Sequence, residues 1–317
     1  MPESPAPPAV ESSEAATPRP RCPAPADFRA EVAAYDAKAE VSIWEGPRYR
    51  MTYRTLGEGP PLIMIPGIAG TYRGYALTLN KLSERFRTVV YDYPGEHHGD
   101  RAHLGRISHE NLVDDVFGLI EHLNVGRVFL VGLSFGSTIT LRALEREPRR
   151  FPRAVVQGAF AHRQFTVAER VALKFGRHFP GTVSGLPLRS RILAYNSKSH
   201  FPSILEGRWE YYLDDNGLTP IGPMAHRLDL ITSLDLRPSL AGIPTEILLL
   251  QGNEDRIIAR RHFEELRSAL PGAQAVVMPL VGHQPHFTHA EALAGAIAEY
   301  LLPCAPGRCP NEETETR

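Results

Sequence analysis

The sequence predicts an α/β fold, a mostly parallel central sheet with helices on both faces. Three observations carry this reading. Short apolar runs of strand length recur along the chain. Helical patterns separate them. Several of the runs stop directly at Gly, Pro or Asp, where a chain turns. With 317 residues, 43% of them hydrophobic, the chain can bury a sizeable core.

Residues 1–26 are rich in Pro, Ala, Ser and Glu, and 303–317 read the same way. Such segments bury too little apolar surface to offset their ordering entropy, so both are expected to be disordered tails. The domain is expected to run from 27 to 302. Residues 41–43 and 49–55 read as early strands joined by the turn at Gly46-Pro47. A buried strand at 62–65 stops at Pro66-Gly67, and another at 88–91 stops at Asp92. Over 111–123, Leu112, Val113, Val116, Leu119, Ile120 and Leu123 form a helical stripe. A strand at 128–131 precedes a helix at 137–147. Strands at 154–156, 246–250 and 275–278 follow, and a helix at 291–301 closes the domain. Strands alternating with helices imply βαβ units and a parallel sheet covered on both faces.

Residues 162–236 break this alternation. They are helical and irregular, with Phe165, Phe175, Phe179, Tyr195, Phe201, Trp209, Tyr211 and Tyr212 among them. They read as a helical cap over the carboxyl edge of the sheet, where ligands of open α/β sheets bind. Those aromatics either line an apolar pocket or pack the cap helices together.

The 35 basic and 36 acidic residues leave a formal charge of -1. That balance argues against a nucleic-acid or polybasic membrane surface and for a protein that meets small molecules or other proteins; a small-molecule substrate is the expected partner. Cys22, Cys304 and Cys309 are too few and too terminal for a disulfide framework, so a reducing, cytoplasmic compartment is expected. The N-terminus lacks the basic start and apolar run of a secretory signal. No apolar stretch approaches the ~20 residues of a membrane helix.

The chemistry starts at Gly132-Leu133-Ser134-Phe135-Gly136, between a strand and a helix. A serine hydroxyl attacks only when a base removes its proton, and it must stand clear of the backbone. A sharp strand-to-helix turn achieves the second, and small residues two before and two after let the chain pass itself. A helix-capping serine in a plain turn is the bland alternative. Asp255 in QGNED and His283 in VGH follow later strands. The order Ser, Asp, His, each near a strand end, points to a base with an orienting acid.

On GLSFG (132–136), QGNED (251–255), VGH (281–283), the loop IPGIAG (65–70) and the turn YDYPGEHHGD (91–100), the chain from about 40 to 302 resembles the α/β-hydrolase fold superfamily. The resemblance implies a nucleophile elbow at Ser134, with His283 and Asp255 completing a catalytic triad. It also implies an oxyanion hole from the backbone N–H groups of Ile68 and Phe135. Many relatives carry His-Gly where this chain has Pro66-Gly67, which puts the hydrogen bonds behind that loop in question. Dehalogenases and epoxide hydrolases of the superfamily place an aspartate at the nucleophile position, so Ser134 argues against both. No cofactor and no metal are implied.

His283, His286 and His289 have a spacing that could hold a metal, but Pro285 interrupts the run and three-residue steps drift off one helix face. His97-His98 reads as a surface or cleft-rim pair. Asp114 and Asp115 read as a solvated helix face, and the arginines of 146–153 as an exposed helix end. The expected activity is hydrolysis of a small, partly apolar ester-like substrate through an acyl-serine; thioester, lactone and carbon–carbon cleavage share that intermediate. The rival is a non-catalytic binding or scaffold protein on the same fold, as in the maspardin group, which the loop at Pro66 also resembles.

Overall fold

The computed structural model describes residues 27–97, 99–202 and 207–302; both terminal segments, the three cysteines and His98 lie outside them. In chain order the domain opens with α1 (Phe28–Lys38), whose first turn is capped by the Asp27 carboxylate on the Arg29 N–H. Then come β1 (Glu40–Glu45), β2 (Arg50–Leu56), β3 (Pro61–Ile65), α2 (Ala76–Ser83), β4 (Arg87–Tyr91) and α3 (His109–His122). β5 (Phe129–Leu133), α4 (Phe135–Arg146) and β6 (Arg153–Gln157) follow. An insertion of α5 (Val167–Gly176), α6 (Arg189–Ser197), α7 (Arg208–Gly217), α8 (Ile221–Ile231) and α9 (Arg237–Leu240) separates β6 from β7 (Glu246–Gly252). The chain ends with α10 (Arg260–Ala269), β8 (Gln274–Met278), α11 (Pro285–Thr288) and α12 (Ala290–Leu301). Each strand expected from the sequence is present within two residues. α1, α2 and α10 are additional to the helices expected from the sequence; α1 buries only Phe28, Val32 and Tyr35, and α10 only Phe263 and Leu266.

The strands form one sheet in the order β1-β2-β4-β3-β5-β6-β7-β8. β1 and β2 join antiparallel, and β3 to β8 run parallel. Side chains alternate across each strand, so the sheet builds a core on each face. Ile63, Ile65, Leu130, Val156 and Leu249 pack with α3, α4 and α10. Leu62, Met64, Val131, Val155 and Leu248 pack with α1, α2 and α12 on the other face.

Strand order reverses at β3. The chain steps outward from β3 to β4, then returns to place β5 on β3's other side. The crevice at the carboxyl ends of such a pair is where ligands bind in these sheets. The loop after β3 and the turn after β5 therefore lie side by side, in a register that sets Ile65 against Gly132.

Two sequence expectations need correction. Asp115 is buried on α3 and ion-paired to Arg48, which arrives from the β1–β2 turn; only Asp114 is partly solvated. In the 146–153 stretch, Arg153 belongs to β6, largely covered and paired with Glu246, so that end of the run is not an exposed helix terminus.

Gly136 and Gly295 sit in helices but differ in surroundings. A Cβ on Gly136 would lie 2.2 Å from the Ile65 carbonyl oxygen, whereas one on Gly295 meets nothing within 4 Å. Gly136→Ala is expected to cost about 1–3 kcal/mol. Gly295→Ala is expected to add up to ~1 kcal/mol through helix propensity. Urea unfolding of both variants checks the pair; equal signs would refute the packing argument.

Candidate active site

Ser134 stands in the turn between β5 and α4 with φ of +51° and ψ of −113°. A non-glycine residue rarely adopts this conformation, which costs roughly 1–3 kcal/mol unless the surroundings impose it. Here they do. The Ser134 N–H donates to the Gln157 carbonyl at 2.8 Å, tying the turn to the end of β6. Gly132 and Gly136 remove the side chains that would collide: a Cβ on Gly132 would lie 2.7 Å from the Gly136 carbonyl oxygen.

His283 and Asp255 converge on Ser134 from the loops after β8 and β7. His283 Nε2 lies 2.9 Å from Ser134 Oγ, and His283 Nδ1 lies 2.7 Å from Asp255 Oδ2. The other Asp255 oxygen accepts the N–H groups of Ile257 and Ile258 at 2.9 and 2.8 Å, which fixes the carboxylate plane. Gly158 makes room for the ring. Its φ is +58°, and a Cβ there would sit 2.9 Å from His283 Cε1. The three residues read from the sequence are thus one hydrogen-bonded chain, with His283 and Asp255 both buried. An imidazole held between a hydroxyl and a carboxylate can take the hydroxyl proton while the carboxylate stabilises the resulting cation.

Ser134 opens into a cavity of about 200 Å³. Its walls are mostly apolar, with Ile68, Phe160, Leu193, Leu228, Ile231, Ile257 and Phe287 among them. The space suits a group somewhat larger than benzene, which fits a cavity of about 150 Å³. Ile68 and Phe135, the two expected oxyanion donors, border it beside Ser134. Phe135 is the first residue of α4, where backbone N–H groups have no intrahelical acceptor. Of the eight aromatics noted in 162–236, Tyr212 borders the cavity; Tyr211 is buried elsewhere, and Phe175, Phe179 and Tyr195 face solvent.

The loop 66–71 is held from below and above. From the core, Tyr93 donates to the Pro66 carbonyl and the Tyr75 hydroxyl accepts the Gly67 N–H, each at 2.9 Å. Proline at 66 therefore leaves the loop fully anchored. From the insertion, Arg227 donates through Nε and Nη2 to the Ile68 carbonyl at 3.1 and 2.9 Å. Thr219 Oγ1 accepts the Gly70 N–H at 2.8 Å, and Asp215 accepts the Thr71 N–H at 3.0 Å and the Thr71 hydroxyl. Arg227 is fully buried, paired to Glu96 at 3.0 Å. Sequence reading missed Asp215, Thr219 and Arg227. They lie in an irregular segment, and no motif spacing links them to a loop about 150 residues earlier.

Burial shapes the charges around the cavity. His286, whose ring packs tilted against Tyr75 with centroids 4.5 Å apart, is pushed down to about 3 by burial and by neighbouring His283, so it stays neutral. Burial raises Glu96 to about 7 against the pull of Arg227. It raises Asp215 to about 6 against its hydrogen bonds from Thr71. The histidine run separates: His283 joins Ser134, His286 packs tilted against Tyr75, and His289 contacts Thr288. His97 pairs with Asp92 at 2.7 Å beside the buried Arg54.

A parallel sheet whose strand-edge serine is linked to a histidine and an aspartate defines a class of protein, and comparison supplies the family. Residues 60–290 match the model of the alpha/beta hydrolase fold, and the chain belongs to that family. The chain is 24% identical over 255 residues to 2-hydroxymuconate semialdehyde hydrolase of Pseudomonas sp. (strain CF600), covering 77% of this chain and 88% of the relative. Among solved structures, a hydrolase from Pseudomonas aeruginosa PA01 superposes with a TM-score of 0.73 at 23% identity, over 83% of this chain and 98% of the other. The enol-lactonase from Burkholderia xenovorans LB400 superposes with a TM-score of 0.69 at 22% identity, over 82% and 100%. Likeness at these identities speaks for the fold.

The raised Asp215 gives a signed prediction. Folding holds its proton from 3.8, the ordinary value, up to about 6. The folded state thus binds more protons than the unfolded chain in that window, and stability falls as pH rises through it. Asp215→Asn removes this loss. Its stability relative to wild type should rise between about pH 4 and 7 by on the order of 3 kcal/mol. Titrations of His109 and His286 are common to both proteins and cancel in the difference. Urea unfolding at the two pH values measures it, and parallel pH curves would sink the assignment.

Proposed function

We propose that the protein is a serine hydrolase that cleaves a small, partly apolar ester-like substrate through an acyl-serine intermediate. The observation that carries this is the Ser134–His283–Asp255 chain at a strained turn, open to an apolar cavity. Ser134 Oγ attacks the substrate carbonyl carbon while His283 Nε2 takes the hydroxyl proton. Asp255 holds the imidazole in the Nδ1–H tautomer and stabilises the imidazolium. The oxyanion accepts from the N–H groups of Ile68 and Phe135. Collapse breaks the bond to the leaving group, which departs with the proton from His283. Water then attacks the acyl carbon, its proton passing to His283, and the acid product leaves as Ser134 regains its hydrogen. The scheme needs no cofactor.

Residues 162–236 act in this reading as the cap that selects the substrate. Lactone, thioester and carbon–carbon substrates fit the same steps, in keeping with the semialdehyde hydrolase and enol-lactonase among the similar proteins. The scarcity of cysteine supports a cytoplasmic setting, and no described helix is long and apolar enough to cross a membrane. The scaffold alternative drew on Pro66, and the anchoring of that loop by Tyr75 and Tyr93 weakens its support.

A fluorophosphonate probe should label Ser134, and peptide mass mapping should find the adduct there. Ser134→Ala should abolish both labelling and hydrolysis of p-nitrophenyl esters. His283→Ala should lower turnover by several orders of magnitude, roughly 10⁶ in a protease precedent. Folded wild type that remains unlabelled and inactive on the ester panel would favour the scaffold reading.

A further inference from the structure

The near-zero charge of the whole chain conceals a strongly uneven distribution. Between residues 166 and 200 there are six basic residues, Arg170, Lys174, Arg177, Arg189, Arg191 and Lys198, and one acid, Glu169. The rest of the chain carries 29 basic residues against 35 acidic. Arg177 is tied to Asp229, and Arg189 donates to the Leu213 carbonyl. Arg170, Lys174 and Arg191 are exposed and form no ion pair with any described residue.

The same segment turns apolar side chains outward. On α5, Val167, Val171 and Phe175 follow one another at four-residue steps along one helix face, and no residue of α5 is buried. Val167 is 79% exposed and Phe175 76%. Leu188, Ile192 and Tyr195 repeat the arrangement on and just before α6, with Tyr195 76% exposed. A surface helix ordinarily lays its apolar row on the core. α5 instead meets α8 through its small and half-buried positions, Gly176 against Ala225. Contiguous exposed apolar rows mark an interaction surface.

We infer that α5 and α6 dock the protein peripherally on an anionic lipid surface. Charge complementarity selects this occupant. Lys and Arg interleaved with a bulky apolar row suit an interface where headgroups are anionic and acyl chains lie just beneath. A second copy of the chain would bring the same unpaired cations face to face, which is unfavourable. α6 turns its inner side toward the cavity, where Leu193 forms part of the wall, so the docking face and the candidate active site share a helix. The docking itself does not rest on the hydrolase reading.

Flotation of the full chain with phosphatidylcholine vesicles, with and without phosphatidylglycerol, tests this. Binding should require phosphatidylglycerol and weaken as salt rises. The exposed-site pairs Val171→Asp with Phe175→Asp, and Arg170→Glu with Lys174→Glu, should each lower the partition coefficient about tenfold or more. Both should keep the wild-type circular dichroism and melting temperature. Ser134→Ala should bind like wild type, so loss of the hydrolase reading would leave this result untouched. Equal binding to neutral and anionic vesicles, or none to either, would overturn the inference. So would a dimer in sedimentation velocity that the Val171→Asp, Phe175→Asp pair dissociates, since the face would then be a contact between copies.

Discussion

The close approach of α4 to the end of β3 is the constraint on which the site depends. With Ile65 opposite Gly132, the first turn of α4 passes against the backbone of 65–66, and Cβ-free positions at 132 and 136 are what let it. That contact brings two features of separate strands together. Ser134 is lifted out of the sheet edge, and the loop with Ile68 is laid beside it. Helix packing, strand order and nucleophile presentation are thus one packing problem. Enlarging either glycine disturbs all three together.

The second dependence runs through the insertion. Asp215, Thr219 and Arg227 hold positions 71, 70 and 68 of the same loop. A buried arginine is costly to desolvate, and here that cost is offset by Glu96, the Ile68 carbonyl and the face of Tyr93. Motion of α7 or α8 therefore moves the loop that faces Ser134. In the hydrolase reading, substrate that orders the insertion also sets the oxyanion donors, so specificity and rate share one set of hydrogen bonds.

How much of this was legible in the sequence follows from what each feature depends on. Strands such as 62–65 and 128–131 are buried on both faces, so a continuous apolar run marks them whatever their neighbours. Ser134, Asp255 and His283 could be read because each follows a strand and their order is constrained by the fold. Asp115 could not: beside Asp114 it looks solvated, and its partner Arg48 is 67 residues away. The insertion was legible in outline only. Its aromatics divide among cavity wall, core and solvent, a choice set by tertiary contacts rather than by period. The uneven charge was present in the sequence, but summing over the whole chain erased it.

The strain at Ser134 supports the proposed hydrolase reading over the scaffold reading on energetic grounds. A serine at φ +51° is held there by the Gln157 carbonyl, two glycines and the start of α4. A binding scaffold needs a shaped wall, which a relaxed turn supplies at lower cost. It gains nothing from a cavity-facing hydroxyl aligned on a buried imidazole, nor from a carboxylate fixed by two backbone N–H groups. A nucleophile gains from each: the strain exposes Oγ, the imidazole accepts its proton, and the fixed carboxylate keeps the imidazole in one tautomer. Strain that a reaction would use, and a binding wall would not, is what supports the proposed reaction.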